Sequence, residues 1–96
     1  MITKRRTARA SHVRVTFLLQ RPDADTVHLV GDFTEWQPSK AMRRSPEGAW
    51  RLGVELPLGR EYGFRYLVDR RYCVNDPSAD KYVPNPYGSD NSVVVT

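Results

Sequence analysis

The sequence predicts an all-β domain, an immunoglobulin-like antiparallel β-sandwich of about seven or eight short strands. Short segments with alternating apolar and polar residues recur along the chain, seven prolines and six glycines are scattered among them, and no helical period lasts more than one turn. With 96 residues, the chain is long enough for one domain that buries a core without disulfides. A five-stranded barrel is the alternative architecture that the same pattern allows.

The first half of the chain supplies two clear strands and one weak one. Residues 12–20 alternate regularly, so their apolar side chains are predicted to share the core-facing side. Residues 26–31 form a short apolar strand. Residues 42–44 are predicted to pair only weakly, and a turn at Pro46-Glu47-Gly48 follows them.

The second half begins with the longest predicted hairpin. Residues 49–56 and 61–69 both alternate, and a tight Pro-Leu-Gly turn joins them. A short strand over residues 72–74 follows, and residues 92–96 complete the sheet. Between them, residues 76–91 read as a long proline-rich loop, and a loop of that length in a compact domain usually has a function or its own packing.

The charge and cysteine content restrict the setting of the protein. Residues 1–11 carry much of the basic excess behind the net charge of +4, and we predict a basic, flexible tail there, with the folded domain over residues 12–96. The single cysteine, Cys73, excludes an internal disulfide and favours a reducing compartment. No apolar stretch reaches membrane-spanning length, so we expect a cytoplasmic protein without a membrane partner.

The two tryptophans are predicted to have different surroundings. Trp50 shares one face of its strand with the apolar residues at the following even positions, which predicts a core side chain. Trp36 lies in the loop after the second strand, among polar neighbours and outside any alternation. We predict that its indole faces solvent and contacts a ligand; the alternative is a lid that folds back over the core.

The residues do not favour catalysis. His12 and His28 lie on different strands among neighbours that do not ligate metals. Asp32 and Glu35 are close in sequence, but they lie in an open loop and are better explained as surface carboxylates. The sequence therefore predicts a protein that is not an enzyme, with no catalytic residue, no metal site and no cofactor.

A binding surface is the better interpretation, because flat aromatic rings occur beside polar groups that can recognise hydroxyls. The candidate residues are the aromatic Trp36, Tyr72 and Tyr87 and the polar Arg65, Ser89 and Asn91. This combination suits a sugar ring. Stacking one ring covers roughly 100 Å² and provides about 2.5 kcal/mol, less than association costs. The expected ligand is therefore an oligosaccharide bound with a Kd of roughly micromolar to millimolar.

A series of ordered blocks resembles the family 48 carbohydrate-binding modules. That family includes the glycogen-binding domain of the AMP-activated protein kinase β subunit and the N-terminal early-set domain of isoamylases and branching enzymes. The blocks, spread over about residues 13–96, are VHLVGDFTEW, GAW, LPLG, FRYLVD, DP and NSVVV. The resemblance implies an early-set sandwich that binds α-1,4-linked glucan such as glycogen, starch or maltooligosaccharide.

The resemblance also implies a role for each aromatic candidate. Trp36 matches the first stacking tryptophan of the family. Tyr72 matches the second stacking tryptophan, at a hairpin that is one residue longer here and carries arginines where the family often has glycine. Tyr87 stands where a leucine threads the ring of a bound cyclic glucan.

The polar candidates match groups that reach sugar hydroxyls in the family. Arg65 takes the place of a lysine, and it keeps the charge while offering a planar fork of donors. Ser89 and Asn91 match a threonine and an asparagine.

Two other functions stay open at this stage. The first is a protein-interaction module that packs on a glucan-metabolising enzyme or a kinase without binding sugar itself. The second is single-stranded nucleic-acid binding, suggested by the basic tail and by the pairs Arg43-Arg44 and Arg70-Arg71. Nucleic acid is not the expected partner, because the excess of positive charge is modest and lies partly in the tail.

Overall fold

The computed structural model describes all 96 residues, which form ten β-strands and one 3₁₀ turn. The strands are β1 (Ile2–Arg6), β2 (His12–Gln20), β3 (Val27–Gly31), β4 (Lys40–Ala41), β5 (Arg43–Arg44), β6 (Ala49–Pro57), β7 (Glu61–Val68), β8 (Tyr72–Val74), β9 (Lys81–Pro84) and β10 (Asp90–Val95). One sheet has the order β1-β2-β6-β5, and the other has the order β4-β3-β7-β10-β9, with β8 on β7. All pairs are antiparallel, and the two sheets form the predicted sandwich.

The core lies between the two sheets and is rich in aromatic rings. Phe17 on β2 contacts Phe64 on β7 edge to face, with ring centroids 4.9 Å apart, and Tyr66 continues the cluster. Trp50 is 5% exposed, which confirms its predicted place in the core. Strand β2 occupies the predicted residues 12–20, because its alternation matches the two-residue period of a strand with one buried face.

The N-terminal residues belong to the sandwich, which corrects the flexible tail predicted over residues 1–11. Strand β1 pairs with β2 along its whole length. Ile2 packs against the core, and Lys4 Nζ lies 2.7 Å from Asp80 Oδ2. The charged side chains of β1 give no apolar alternation from which the strand could be predicted. Its pairing depends on backbone N–H and C=O groups, which every residue there provides.

The long loop predicted over residues 76–91 contains strand β9, which pairs with β10. At its start Asp76 is completely buried, and its carboxylate accepts hydrogen bonds from the Tyr66 hydroxyl at 2.6 Å and the Ser78 N–H at 2.7 Å. The Asp76 N–H donates to Ser92 Oγ at 2.8 Å. The segment is therefore fastened to the core at its beginning.

The strands are the only long regular elements of the fold. No helix is both long enough and apolar enough to cross a membrane.

Candidate functional site

The site begins where β3 ends, at a 3₁₀ turn over Asp32–Thr34. The Thr34 hydroxyl donates to the Gly31 carbonyl at 3.1 Å and accepts from the Gly31 N–H at 3.0 Å. The Trp36 N–H then donates to the same carbonyl at 2.9 Å. These bonds reverse the chain, so that Trp36 returns over the outer face of the second sheet.

The indole of Trp36 is held in a fixed position by Asp32. One carboxylate oxygen accepts from the indole Nε1–H at 3.0 Å, and the other accepts from the Gly63 N–H on β7 at 2.7 Å. The ring lies over Gly63, since a Cβ there would be 3.5 Å from Trp36 Cζ2. Trp36 is 38% exposed, so the prediction of a solvent-facing indole is confirmed and the lid alternative is wrong.

The backbone around Trp36 is strained. Glu35 and Trp36 have φ values of 53° and 58°, in the left-handed region that non-glycine residues rarely occupy. Such strain costs of order 1–3 kcal/mol for each residue and occurs mainly at functional sites. The conformation keeps the indole above the sheet, where its aromatic face is available to a ligand.

A cleft of about 460 Å³ opens beside the indole on the outer face of the second sheet. Its lining residues are Trp36, Arg65, Cys73, Asn85, Pro86, Tyr87 and Asn91. Four of the six predicted site residues are therefore brought together: Trp36, Arg65, Tyr87 and Asn91. The volume lies within the range of small-molecule sites.

Arg65 forms the charged part of this cleft. Its Nη2 donates to the Cys73 carbonyl at 3.3 Å, and its Nε is buried without a hydrogen-bond partner. A guanidinium has five N–H donors, so most of the donor capacity of Arg65 is not used within the protein. An occupant with several oxygen acceptors would satisfy it.

The opposite wall is a loop organised by Asn85, a residue that the sequence analysis missed. Its Oδ1 accepts from the N–H groups of Tyr87 at 2.9 Å and Ser89 at 3.3 Å, and its Nδ2 donates to Ser89 Oγ at 2.9 Å and Asn91 Oδ1 at 3.2 Å. The Tyr87 ring is left 90% exposed at the mouth of the cleft. The pattern Asn-Pro-Tyr-Gly is a turn signal that points to this role.

Ser89 does not line the cleft. Its hydroxyl accepts from Asn85, and its carbonyl accepts from the Asn85 N–H at 2.8 Å. It therefore stabilises the loop that presents Tyr87. The prediction that Ser89 reaches a ligand gains no support from this position.

The structure does not bring Tyr72 into the cleft, and this corrects its predicted position. Tyr72 lies opposite the buried Val68 and so shares the core-facing side of its strand, where its ring is 5.9 Å from the Arg21 guanidinium. Cys73 lies opposite Leu67 and lines the cleft in its place. A shift of one residue along a strand moves a side chain to the other face, so the register of β8 decides which of these two residues lines the cleft.

Asp32, His28 and His12 each have a partner or a buried position within the fold. Both oxygens of Asp32 are engaged by N–H donors, so this carboxylate has a structural role. His28 is buried on β3, and its burial, followed by the charge of Arg70, lowers the pKa of its imidazole. His12 lies on the first sheet, away from the cleft, and its Nδ1 is 2.8 Å from the Ser11 hydroxyl.

Comparisons with known proteins give matches both in sequence and in fold. The model of the family described as the glycogen recognition site of AMP-activated protein kinase matches residues 13–95. The 1,4-alpha-glucan branching enzyme GlgB of Lactobacillus acidophilus is 35% identical over 74 residues, covering 74% of this chain and 12% of that enzyme. GlgB of Cupriavidus pinatubonensis is 40% identical over 57 residues, covering 57% of this chain and 8% of that enzyme. The chain thus spans about a tenth of the length of these relatives.

Solved structures with similar folds include the enterobactin esterase FES from Shigella flexneri. In its structure with enterobactin, the TM-score is 0.80 at 14% sequence identity, covering 98% of this chain and 32% of that chain. A second structure of the same esterase gives a TM-score of 0.78 at 12% identity. At such low identity, the similarity concerns the fold alone.

Proposed function

Because the chain belongs to the family 48 carbohydrate-binding modules, we propose that its cleft binds α-1,4-linked glucan without catalysing a reaction. The observation that carries the proposal is the grouping of the Trp36 indole with Arg65 and Asn91 around one open cleft. The indole provides a flat apolar surface for the C–H face of a sugar ring. The guanidinium and the amide offer donors and an acceptor to its hydroxyls.

The proposed ligand is an oligomer such as maltoheptaose, or the chains of glycogen and starch. One ring on Trp36 contributes about 2.5 kcal/mol from roughly 100 Å² of covered area, and association costs more than this. Tyr87 at the mouth of the cleft would contact a neighbouring glucose unit. Several units must therefore bind together, and a single glucose should bind poorly.

Isothermal titration with maltoheptaose and β-cyclodextrin tests the proposal. We expect a Kd between roughly 10 μM and 1 mM, no detectable heat with glucose, and much weaker binding of the β-linked cellohexaose. If neither α-glucan produces heat or a change in tryptophan fluorescence at millimolar concentration, glucan binding is wrong. The module would then act through protein contacts alone.

We also propose that the module serves a glucan-metabolising enzyme in the cytoplasm. The matched relatives are branching enzymes in which the similar segment makes up 8–12% of the length. A binding module of this kind would hold glucan near a catalytic domain, while the chemistry takes place elsewhere. The single cysteine, Cys73, fits a reducing compartment.

Replacing Asp32 with alanine should weaken maltoheptaose binding although the Asp32 carboxylate faces the protein. The change removes the acceptor of the Trp36 Nε1–H, so the ligand must immobilise a ring that is now free. Ordering one side chain costs about 0.5–1.5 kcal/mol, so we expect Kd to rise about fivefold. Titration calorimetry measures the affinity, and the Trp36 indole N–H resonance should broaden or shift in the free variant.

Glu35→Ala is the matched control, since it removes the same charge from the same turn and Glu35 forms no ion pair in the fold. Its affinity should stay within twofold of the original, as about 0.4 kcal/mol corresponds to that ratio. Equal losses in the two variants would show that charge alone matters, and would contradict a positioning role for Asp32.

A further inference from the structure

The outer face of the first sheet carries four exposed arginines, Arg5, Arg14, Arg43 and Arg51. Arg5 on β1 lies directly opposite Arg14 on β2, and Arg43 on β5 lies directly opposite Arg51 on β6. We call this group the arginine face. It belongs to the sheet that does not carry the cleft, so a partner bound there leaves the cleft open.

These pairings are unfavourable for the isolated fold. Like charges directly opposite each other on neighbouring strands destabilise a sheet, and the arginine face has two such pairs. Its arginines form no ion pair, because the side-chain ion pairs of the protein involve Lys4, Arg9 and Lys81. Glu55 lies opposite Arg14, but its ion pair is with Arg9. The four arginines therefore outnumber the carboxylates beside them, Glu55 opposite Arg14 and Glu47 in the hollow lined by Arg43 and Arg51, and the face keeps a net positive charge.

Strand β6 makes room for the central arginine of this group. A Cβ at residue 53 would lie 2.6 Å from Arg14 Nη2 and 2.9 Å from its Cζ, so the guanidinium rests against the backbone of Gly53. Glycine inside a strand weakens it and often marks a place where another group approaches closely. The two-residue step from Gly53 to Arg51 brings this guanidinium towards the second arginine pair.

The chemistry of the face indicates what neutralises it. The planar guanidinium fork matches a carboxylate bidentately. The uncharged residues on this face include Thr16, Leu18, Gln20 and Ala49, and no Phe, Tyr or Trp stands among them. Single-stranded nucleic acid is usually held by stacking on such rings, and neutral glucan has no charge to offer. We propose that the arginine face docks an acidic protein surface, bound through Asp and Glu side chains.

Poly-L-glutamate is the probe for this proposal, with binding measured by fluorescence anisotropy at low salt. The test variant replaces all four arginines of the face with glutamine. The matched control replaces Lys40, Arg60, Arg70 and Arg71 with glutamine, so both variants change the net charge from +4 to 0. We expect the affinity to fall at least about tenfold in the test variant and less than about threefold in the control. Equal losses would overturn the proposal, because net charge alone would then explain binding.

Maltoheptaose binding, measured on the same samples, should be unchanged in both variants. The two measurements therefore distinguish the arginine face from the cleft, since polyglutamate binding can be lost while maltoheptaose binding is kept, and the reverse. An oligothymidylate of the same charge as the polyglutamate provides the second arm. If it binds more tightly than polyglutamate and depends on the four arginines, the face is a nucleic-acid surface and the proposal is wrong.

The double variant Arg5→Gln/Arg43→Gln removes one member of each opposed pair. It tests the proposal even if the fourfold variant does not fold. Its Tm should rise by about 4 °C at low salt, because the variant relieves two like-charge pairs. Its affinity for polyglutamate should fall at least about threefold. A more stable variant that binds polyglutamate as well as the original would overturn the proposal.

Discussion

Replacing Trp36 with alanine should lower the affinity for maltoheptaose by roughly 30- to 100-fold, because the about 2.5 kcal/mol from covering roughly 100 Å² of stacked ring is lost. The loss is large because Trp36 is the aromatic side chain fixed beside Arg65 and Asn91, held there by Asp32 and by a strained backbone. Titration calorimetry measures the change. Tryptophan fluorescence provides a second readout, since the remaining Trp50 is buried and should not respond to sugar.

Tyr72→Ala is the matched control for this experiment. Tyr72 is also an exposed aromatic residue, 48% exposed, but it lies on the other side of its strand from Cys73 and beside Arg21. Its removal should change the affinity less than about twofold, which corresponds to about 0.4 kcal/mol. If Tyr72→Ala weakens binding as much as Trp36→Ala, the ligand extends beyond the cleft, and our placement of the site is wrong.

Replacing Asp76 with alanine should lower the free energy of unfolding by about 2–4 kcal/mol, because the donors of its buried hydrogen bonds lose their acceptor. Asp76 is completely buried and accepts from the Tyr66 hydroxyl and the Ser78 N–H. Burial, together with the Asp76 hydrogen bond and charge, raises the pKa of Tyr66, so its hydroxyl stays protonated and donates. Without the carboxylate, this buried donor has no partner, and an unsatisfied buried group costs about 1–3 kcal/mol.

Urea unfolding measures this change, with the m-value as a test that two-state unfolding is retained. At about 4–8 °C per kcal/mol for a domain of this size, Tm should fall by at least about 8 °C. Asp90→Ala is the control, because its side chain is exposed and it should stay within about 0.5 kcal/mol. A loss below about 1 kcal/mol for Asp76→Ala would contradict our account of the core.

Much of the fold was predictable because the long central strands bury one face. The alternation along β2, β6 and β7 identified the core residues correctly, including Trp50. Strands β1 and β9 were missed for a common reason. Both carry charged or exposed side chains and are recruited to a sheet edge through backbone hydrogen bonds. Edge strands of this kind leave little periodic signal in a sequence.

The candidate site was predictable in its residue types and only partly in its members. Trp36, Arg65, Tyr87 and Asn91 meet at one cleft, although they are distant in sequence. The remaining differences arise from local geometry. The register of β8 places Cys73 and not Tyr72 at the cleft, and the Asn85 amide donates to the Ser89 hydroxyl within the loop. Asp69 and Arg70, in the hairpin before β8, have positive φ values that their residue types do not predict.

The sequence alone determined the sandwich class, the buried strands and the carbohydrate-binding family, because alternation, turn residues and ordered motifs are local properties of the chain. Only the tertiary structure decided which side chains share a surface. That choice depends on strand register, because a shift of one residue along a strand turns each side chain to the opposite face of the sheet. It also placed the opposed arginines of the first sheet together, because partners across strands are set by pairing and not by distance along the chain.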